Sequence, residues 1–294
     1  MADWNDPPYL VKDSSFPTWD YLNLQKTLEV LETPTSVKEK VRVVKEEPVD
    51  YEVVWEPIPG SSQEFAIDTR AHHTLYCGAR GPGKTITQLM RFKRFVGLGY
   101  GSYWRGLILD REFNHLADLV AQSNRFFPQF NDGCQWLRST SDYKWVWPTG
   151  EELLFRWVKN VADYDKFHGH EYSFLGWNEL TKQPTPELYE KFMSVNRSSF
   201  NPEKHTPKKK VNGQIVYDTP DNKPLPPIPL EVFSTTNPYG PGRSWVKKRF
   251  IDVAKYGEIV RRKISYFDPI RAKEVVIERT QVAIFGSFFE NPFL

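Results

Sequence analysis

Cysteine is nearly absent from this 294-residue chain, with Cys77 and Cys134 the only two. Two isolated thiols build neither a disulfide framework nor a cysteine-held metal cluster, and they suit a reducing compartment. Long apolar runs are missing as well. No stretch of 18 apolar residues occurs, so no segment reads as a membrane-spanning helix. The opening MADWNDPPYL is acidic and prolyl, unlike a secretory leader. Nor does one sign of charge dominate: 39 Lys and Arg face 37 Asp and Glu, for a net charge of +2.

That near-balance conceals an asymmetry. Residues 1–70 carry seven basic against fourteen acidic groups, whereas residues 200–273 carry fifteen against seven. A polyanion would meet the C-terminal third, not the head. About 39% of the side chains are hydrophobic, enough at this length to bury at least one core. Twenty-three prolines and ten tryptophans imply many turns and several large packed rings.

Residues 1–54 mix prolines, acidic runs and short apolar pieces and read as an arm or small subdomain, with one helical stretch at 24–32. From residue 55 a strand-then-helix rhythm begins. HTLYC (73–77), RGLILD (105–110), YSFLGW (172–177) and LEVFST (230–235) are short apolar runs suited to buried parallel strands. Segments 85–97, 115–127 and 187–195 have helical spacing. The Trp-rich run at 136–157 carries a Pro-Thr-Gly turn and reads as an antiparallel insertion. Residues 204–229 look like a basic, proline-rich excursion. The alternation predicts an α/β domain with a mainly parallel sheet flanked by helices.

GARGPGKT (78–85) fits the G-x-x-x-x-G-K-[ST] phosphate-loop pattern, behind an apolar strand and ahead of an amphipathic helix. Gly78, Gly81 and Gly83 let the backbone turn tightly, so that successive N–H groups face one concavity. The following helix adds its unpaired N–H groups and the positive end of its dipole. Lys84 is expected to reach the β- and γ-phosphates and the Thr85 hydroxyl to bind magnesium. The loop is expected to hold a nucleoside triphosphate.

Such a loop needs an acidic partner at another strand end, and YSFLGWNEL supplies Asn178 and Glu179. Glu179 suits a general base that orients water against the γ-phosphate. Asn178 stands where a carboxylate would hold the magnesium shell better than an amide does. On this reading hydrolysis is weakened, and Asn178→Asp is expected to raise turnover.

These stretches, with EPIPGSSQEFAI (56–67) and FSTTNPYGPGRSWVKKRF (233–250), resemble the large terminase subunit of tailed bacteriophages across roughly residues 53–294. The resemblance implies a P-loop ATPase fold of the additional-strand type, with its core at 55–238. A small basic lid or linker at 239–294 would lead to a nuclease domain. It also implies ATP and Mg2+ as ligands, bound by the loop residues Gly78, Ala79, Arg80, Gly81, Pro82, Gly83, Lys84 and Thr85. Gln63 would read adenine, and Arg80 would stabilise charge on the γ-phosphate. Thr236 and Asn237 would sense that phosphate, Thr85 and Asn178 would face the metal, and Glu179, Lys84 and Arg80 would be catalytic. Arg138 and Arg156 are alternatives for an arginine supplied across a subunit boundary.

The implied function is a DNA-packaging motor that translocates double-stranded DNA into a procapsid from the host cytoplasm. Its implied partners are the portal protein, the small terminase subunit, a nuclease domain and a ring of five copies, without a membrane. The alternative is a nucleotide-binding assembly module with little turnover. FFENPFL (288–294) resembles the junction before the nuclease domain, and Asp110, Asp163 and Asp165 are poor substitutes for nuclease carboxylates, so no cleavage is expected of this chain. His168 and His170 read as solvated rather than metal-binding. The basic stretches 204–210, 247–249 and 261–263 could touch DNA phosphates without sequence preference. For 204–210 a solvated loop is slightly favoured.

Overall fold

Six parallel strands build the centre of one nine-stranded sheet, and their sequences explain why. The computed structural model describes residues 53–139, 142–268 and 273–291. The helical stretch at 24–32 and most of the expected arm lie outside the described residues. In chain order the strands are β1 His73–Gly78, β2 Arg105–Asp110, β3 Gln135–Leu137, β4 Lys144–Val146, β5 Glu152–Trp157 and β6 Phe174–Trp177. They continue with β7 Lys208–Val211, β8 Gln214–Tyr217, β9 Glu231–Thr236, β10 Val260–Asp268 and β11 Lys273–Gly286. The α-helices are α1 Ser62–Asp68, α2 Lys84–Lys93, α3 Leu116–Phe126, α4 Glu187–Phe192, α5 Pro202–His205 and α6 Arg243–Val246.

The sheet order is β10-β11-β1-β9-β6-β2-β5-β4-β3. From β11 to β5 every neighbour is parallel, and β10, β4 and β3 add antiparallel edges. One strand, β9, intervenes between β1, which feeds the glycine-rich loop 78–85, and β6, which is followed by Asn178 and Glu179. The fold is therefore α/β with a mostly parallel sheet, flanking helices and an antiparallel insertion, as the sequence predicts.

Both faces are covered, so the central strands are buried and mainly apolar, with successive residues dividing between two cores. Leu75, Leu107, Leu109, Leu175, Trp177 and Val232 share one core with Leu188, Tyr189 and Phe192 of α4 and with Val246 of α6. Tyr76, Ile108, Phe174 and Phe233 point the other way, onto Ala66 of α1, Leu89 and Phe92 of α2 and Leu119 of α3. The α2 amphipathicity expected at 85–97 is this second contact.

Three features differ from the sequence reading. The 204–229 excursion contains a two-stranded hairpin, β7 with β8, turned at Asn212 and Gly213, both at positive φ. The signal was the Asn-Gly pair, which favours a two-residue hairpin turn. In segment 239–294, β11 joins the main sheet beside β1, in the register His73↔Gln281 to Gly78↔Gly286. Its apolar end, QVAIF, reads as a buried strand, whereas Lys273, Glu274, Glu278 and Arg279 in its first half mask that pattern. Helix α1 begins at Ser62 after Ser61, whose side chain accepts from Gln63 N and Glu64 N as an N-cap.

Candidate functional site

Because β1, β9, β6 and β2 run parallel, their carboxyl ends lie along one edge of the sheet, where open α/β folds bind ligands. Four stretches meet there: the loop after β1, Asn237 after β9, Asn178 and Glu179 after β6, and Asp110 closing β2.

The loop takes its shape from glycine. Gly78, Gly81 and Gly83 all have positive φ. A Cβ on Gly78 would sit 2.0 Å from the backbone oxygen of Gly286, so β11 can close on the loop only against glycine. No side chain caps α2, and the free N–H groups of its first turn favour an anion. Tyr76 supports the loop from below, its hydroxyl donating to Pro82 O at 2.9 Å.

Lys84 is buried, and its Nζ turns back into the concavity. It donates to Gly78 O at 3.2 Å, to Ala79 O, and to Asn237 Oδ1 at 3.1 Å. Burial pulls its pKa down, while the Glu179 carboxylate acts against that shift. Asn237 in turn holds Glu179: its backbone N donates to Oε2 at 3.1 Å and its Nδ2 to Oε1 at 2.9 Å. Loop lysine, strand-end asparagine and strand-end glutamate thus form one hydrogen-bonded line. Glu179 itself stands in the left-handed region, at φ 52° and ψ 59°. For a non-glycine residue that conformation costs about 1–2 kcal/mol.

The other candidates are placed as follows. Gln63 is buried beside the loop, its Oε1 accepting from Ile58 N at 3.0 Å, and a Cβ on Gly83 would meet its Nε2. Arg80 is exposed on the loop and lies near enough to Lys84 to lower its pKa further. The Thr236 hydroxyl lies 2.7 Å from that of Thr181 and donates to Asn237 O at 3.1 Å. Thr85, second residue of α2, is half-buried. Asn178 donates from Nδ2 to Asp110 Oδ2 at 2.7 Å and accepts at Oδ1 from Thr235 Oγ1 at 3.3 Å. Arg156 is half-buried, with Nη1 on Tyr143 O and Phe155 O, and Arg138 is exposed.

For magnesium, a helix-start hydroxyl at Thr85 and a carboxylate at Glu179 are the oxygen donors that a hard cation prefers. The donor set fits, although the Asn178 amide is engaged within the chain. Sequence reasoning missed Asp110, Thr235 and Thr181 in the site. It also missed a contact from the segment that follows β11, where Asn291 Nδ2 donates to Gly81 O at 2.8 Å and Glu290 accepts from Ser62 N at 2.8 Å.

The basic stretches are partly committed to local partners. Lys247 pairs with Asp252 at 2.6 Å, Arg261 with Glu278 at 2.6 Å and Lys209 with Asp218 at 2.7 Å. Arg249 lies over the Tyr189 ring. No helix among the described residues is long and apolar enough to cross a membrane.

No family model matches the sequence, and neither does any curated protein. Solved structures do. The large terminase from the thermophilic bacteriophage D6E is similar with a TM-score of 0.50 and 10% identity, over 81% of this chain and 48% of that one. The same terminase in complex with ADP gives 0.47 and 9%, over 79% and 46%. The large terminase ATPase domain of Thermus phage P74-26 gives 0.34 and 13%, over 65% and 84%. The chain spans about half the length of the D6E terminase it matches. At 10% identity the likeness is one of fold, an α/β architecture like that of the D6E large terminase.

Proposed function

We propose that this chain is the ATPase motor domain of a viral DNA-packaging terminase, coupling ATP hydrolysis to movement of double-stranded DNA into a procapsid. The line Lys84–Asn237–Glu179 is the observation that carries the reading. It links the residue suited to bind the terminal phosphate with the residue suited to activate water.

The division of labour follows from the chemistry. Loop N–H groups and the α2 N-terminus receive the phosphates. Lys84, held by two loop carbonyls, exchanges them for phosphate oxygens. Arg80 offsets charge that develops on the γ-phosphate. Gln63 would address adenine with its amide. Magnesium would be held from Thr85 and the Asn178–Glu179 strand end, and it would neutralise charge on the β- and γ-oxygens. When phosphate claims Lys84, Asn237 loses its partner at Oδ1, so that its side chain can turn and release Glu179 Oε1 toward water. Thr236 and Asn237 then report loss of the γ-phosphate to segment 239–294. Portal protein, small terminase subunit, a nuclease domain and a five-membered ring are the partners that this role requires.

A nucleotide-binding assembly module with little turnover is the second reading. It is favoured by Asn178 and by the engagement of both Glu179 oxygens with Asn237.

Steady-state ATP turnover, with nucleotide affinity measured on the same proteins, tests both. The parent is expected to hydrolyse ATP, faster with double-stranded DNA at low salt. Lys84→Ala should lose binding and turnover together. Glu179→Gln should still bind but turn over at least about 100-fold more slowly. A parent that binds without hydrolysing supports the second reading, and a parent that does not bind ATP contradicts both.

A further inference from the structure

Asn178 occupies a strand end where a carboxylate is expected, yet a carboxylate stands directly beside it. Asp110 closes β2, the strand that pairs with β6, and is fully buried. Its Oδ1 accepts from Arg111 N at 2.6 Å and lies 3.2 Å from His115 Nδ1. Lys182 Nζ reaches both oxygens, at 3.4 and 3.2 Å. The remaining strong contact is Asn178 Nδ2, at 2.7 Å from Oδ2.

That contact settles which way the amide points. A carboxylate surrounded by donors only accepts, so the NH2 of Asn178 faces Asp110 and its oxygen faces the other way. There it accepts from Thr235 Oγ1 at 3.3 Å, and Thr235 Oγ1 accepts from the Glu179 backbone N at 3.2 Å. The relay therefore runs from a buried anion on β2, through an amide on β6 and a hydroxyl on β9, to the peptide of Glu179. Glu179 needs such support, since its left-handed backbone is maintained only if its surroundings fix it.

We infer that Asp110 is a positioning residue for Glu179, acting through Asn178 and Thr235, and that Asn178 is the matched partner of that carboxylate rather than a defective aspartate. The inference rests on Glu179 being the base of the proposed hydrolysis. It reverses the expectation from sequence for Asn178→Asp. An aspartate there would bring two carboxylates to 2.7 Å and remove the donor that Asp110 requires.

The test compares the parent with Asp110→Asn, Asn178→Asp, the exchange that carries both, and Asp110→Asn on a Glu179→Gln background. Turnover, KM, ATP affinity with and without magnesium, and thermal midpoint are read for each. Asp110→Asn should lower kcat about tenfold while ATP affinity stays within about twofold. Asn178→Asp should lower both kcat and the thermal midpoint. The exchange, which restores one carboxylate facing one amide, should recover most of both losses. On the Glu179→Gln background Asp110→Asn should change the residual rate little, since both act through one group.

An Asp110→Asn protein with unchanged kcat overturns the inference. So does an Asn178→Asp protein that is faster than the parent, or an exchange no better than the worse single variant. If Glu179→Gln leaves turnover intact, the proposed function of Glu179 fails. If it abolishes turnover while Asp110→Asn does not, the positioning role alone fails.

Discussion

Gly83 carries the glycine-rich loop into α2 at φ +77°, and a Cβ there would lie 2.3 Å from Gln63 Nε2. Gly83→Ala therefore forces a left-handed alanine and displaces the glutamine expected to read the base. We expect a loss of about 1–2 kcal/mol in stability, read by urea denaturation, together with weaker ATP binding. A variant as stable and as tight-binding as the parent would contradict this account of the loop. The loop was legible from sequence because its pattern is local, with every defining residue inside 78–85. Asp110 was not legible as a site residue. Its partnership with Asn178 depends on β2 lying next to β6, and strand order is a property of the assembled sheet. Asn237 was named, but nothing in the sequence shows it bridging Lys84 and Glu179.

At the scale of elements, α2 is tied to the sheet by polar contacts as well as by packing. Gln88 Nε2 donates to Trp177 O at 3.2 Å and to Phe233 O at 3.0 Å, joining the helix to β6 and β9. Arg91, fully buried, pairs with Glu231 at 2.8 Å and donates to Ala66 O at 2.8 Å, which links α2 to β9 and α1. Burial alone would push the Glu231 carboxyl up, but the Arg91 and Arg94 guanidiniums outweigh it and hold the group below its ordinary range. Removing Arg91 strands much of that charge. Arg91→Ala is expected to cost about 3–5 kcal/mol in denaturant unfolding. A loss below about 1 kcal/mol would show that the pair does not anchor the helix. Strands β1, β2, β6 and β9 were legible because burial on both faces leaves short, mainly apolar runs. β10 and the start of β11 were not, since charged residues such as Arg261, Arg262, Lys263, Lys273 and Glu274 make them resemble a solvated linker.

For the whole molecule, acid is a specific liability. His72 is depressed to about 4 by burial and by Arg279, although its bond to Asn196 acts the other way. His73 beside it is lowered as well, by burial first and then by His72. His72 Nε2 lies 2.9 Å from Asn196 Oδ1, while its Nδ1 is buried without a partner, so a second proton would be unsatisfied. The unfolded chain takes up protons that the folded chain refuses. Stability is thus full above the unfolded value of 6.5 and falls as the pH drops toward 4, below which His72 adds no further loss. His72 alone contributes a loss on the order of 3 kcal/mol across that window. His72→Gln keeps an amide donor for Asn196 and should flatten the slope of unfolding free energy between these limits. An unchanged slope would contradict the assignment.

The central claim is that residues 78–85 receive a triphosphate in contact with Lys84, within reach of Glu179. A structure of the chain with magnesium and a non-hydrolysable ATP analogue tests it most directly. The account predicts the phosphates inside the loop, Lys84 Nζ moved from Gly78 O and Ala79 O onto a phosphate oxygen, and the Glu179 carboxylate turned toward the terminal phosphorus. Phosphates bound elsewhere, or Lys84 still on its loop carbonyls with nucleotide present, would contradict it.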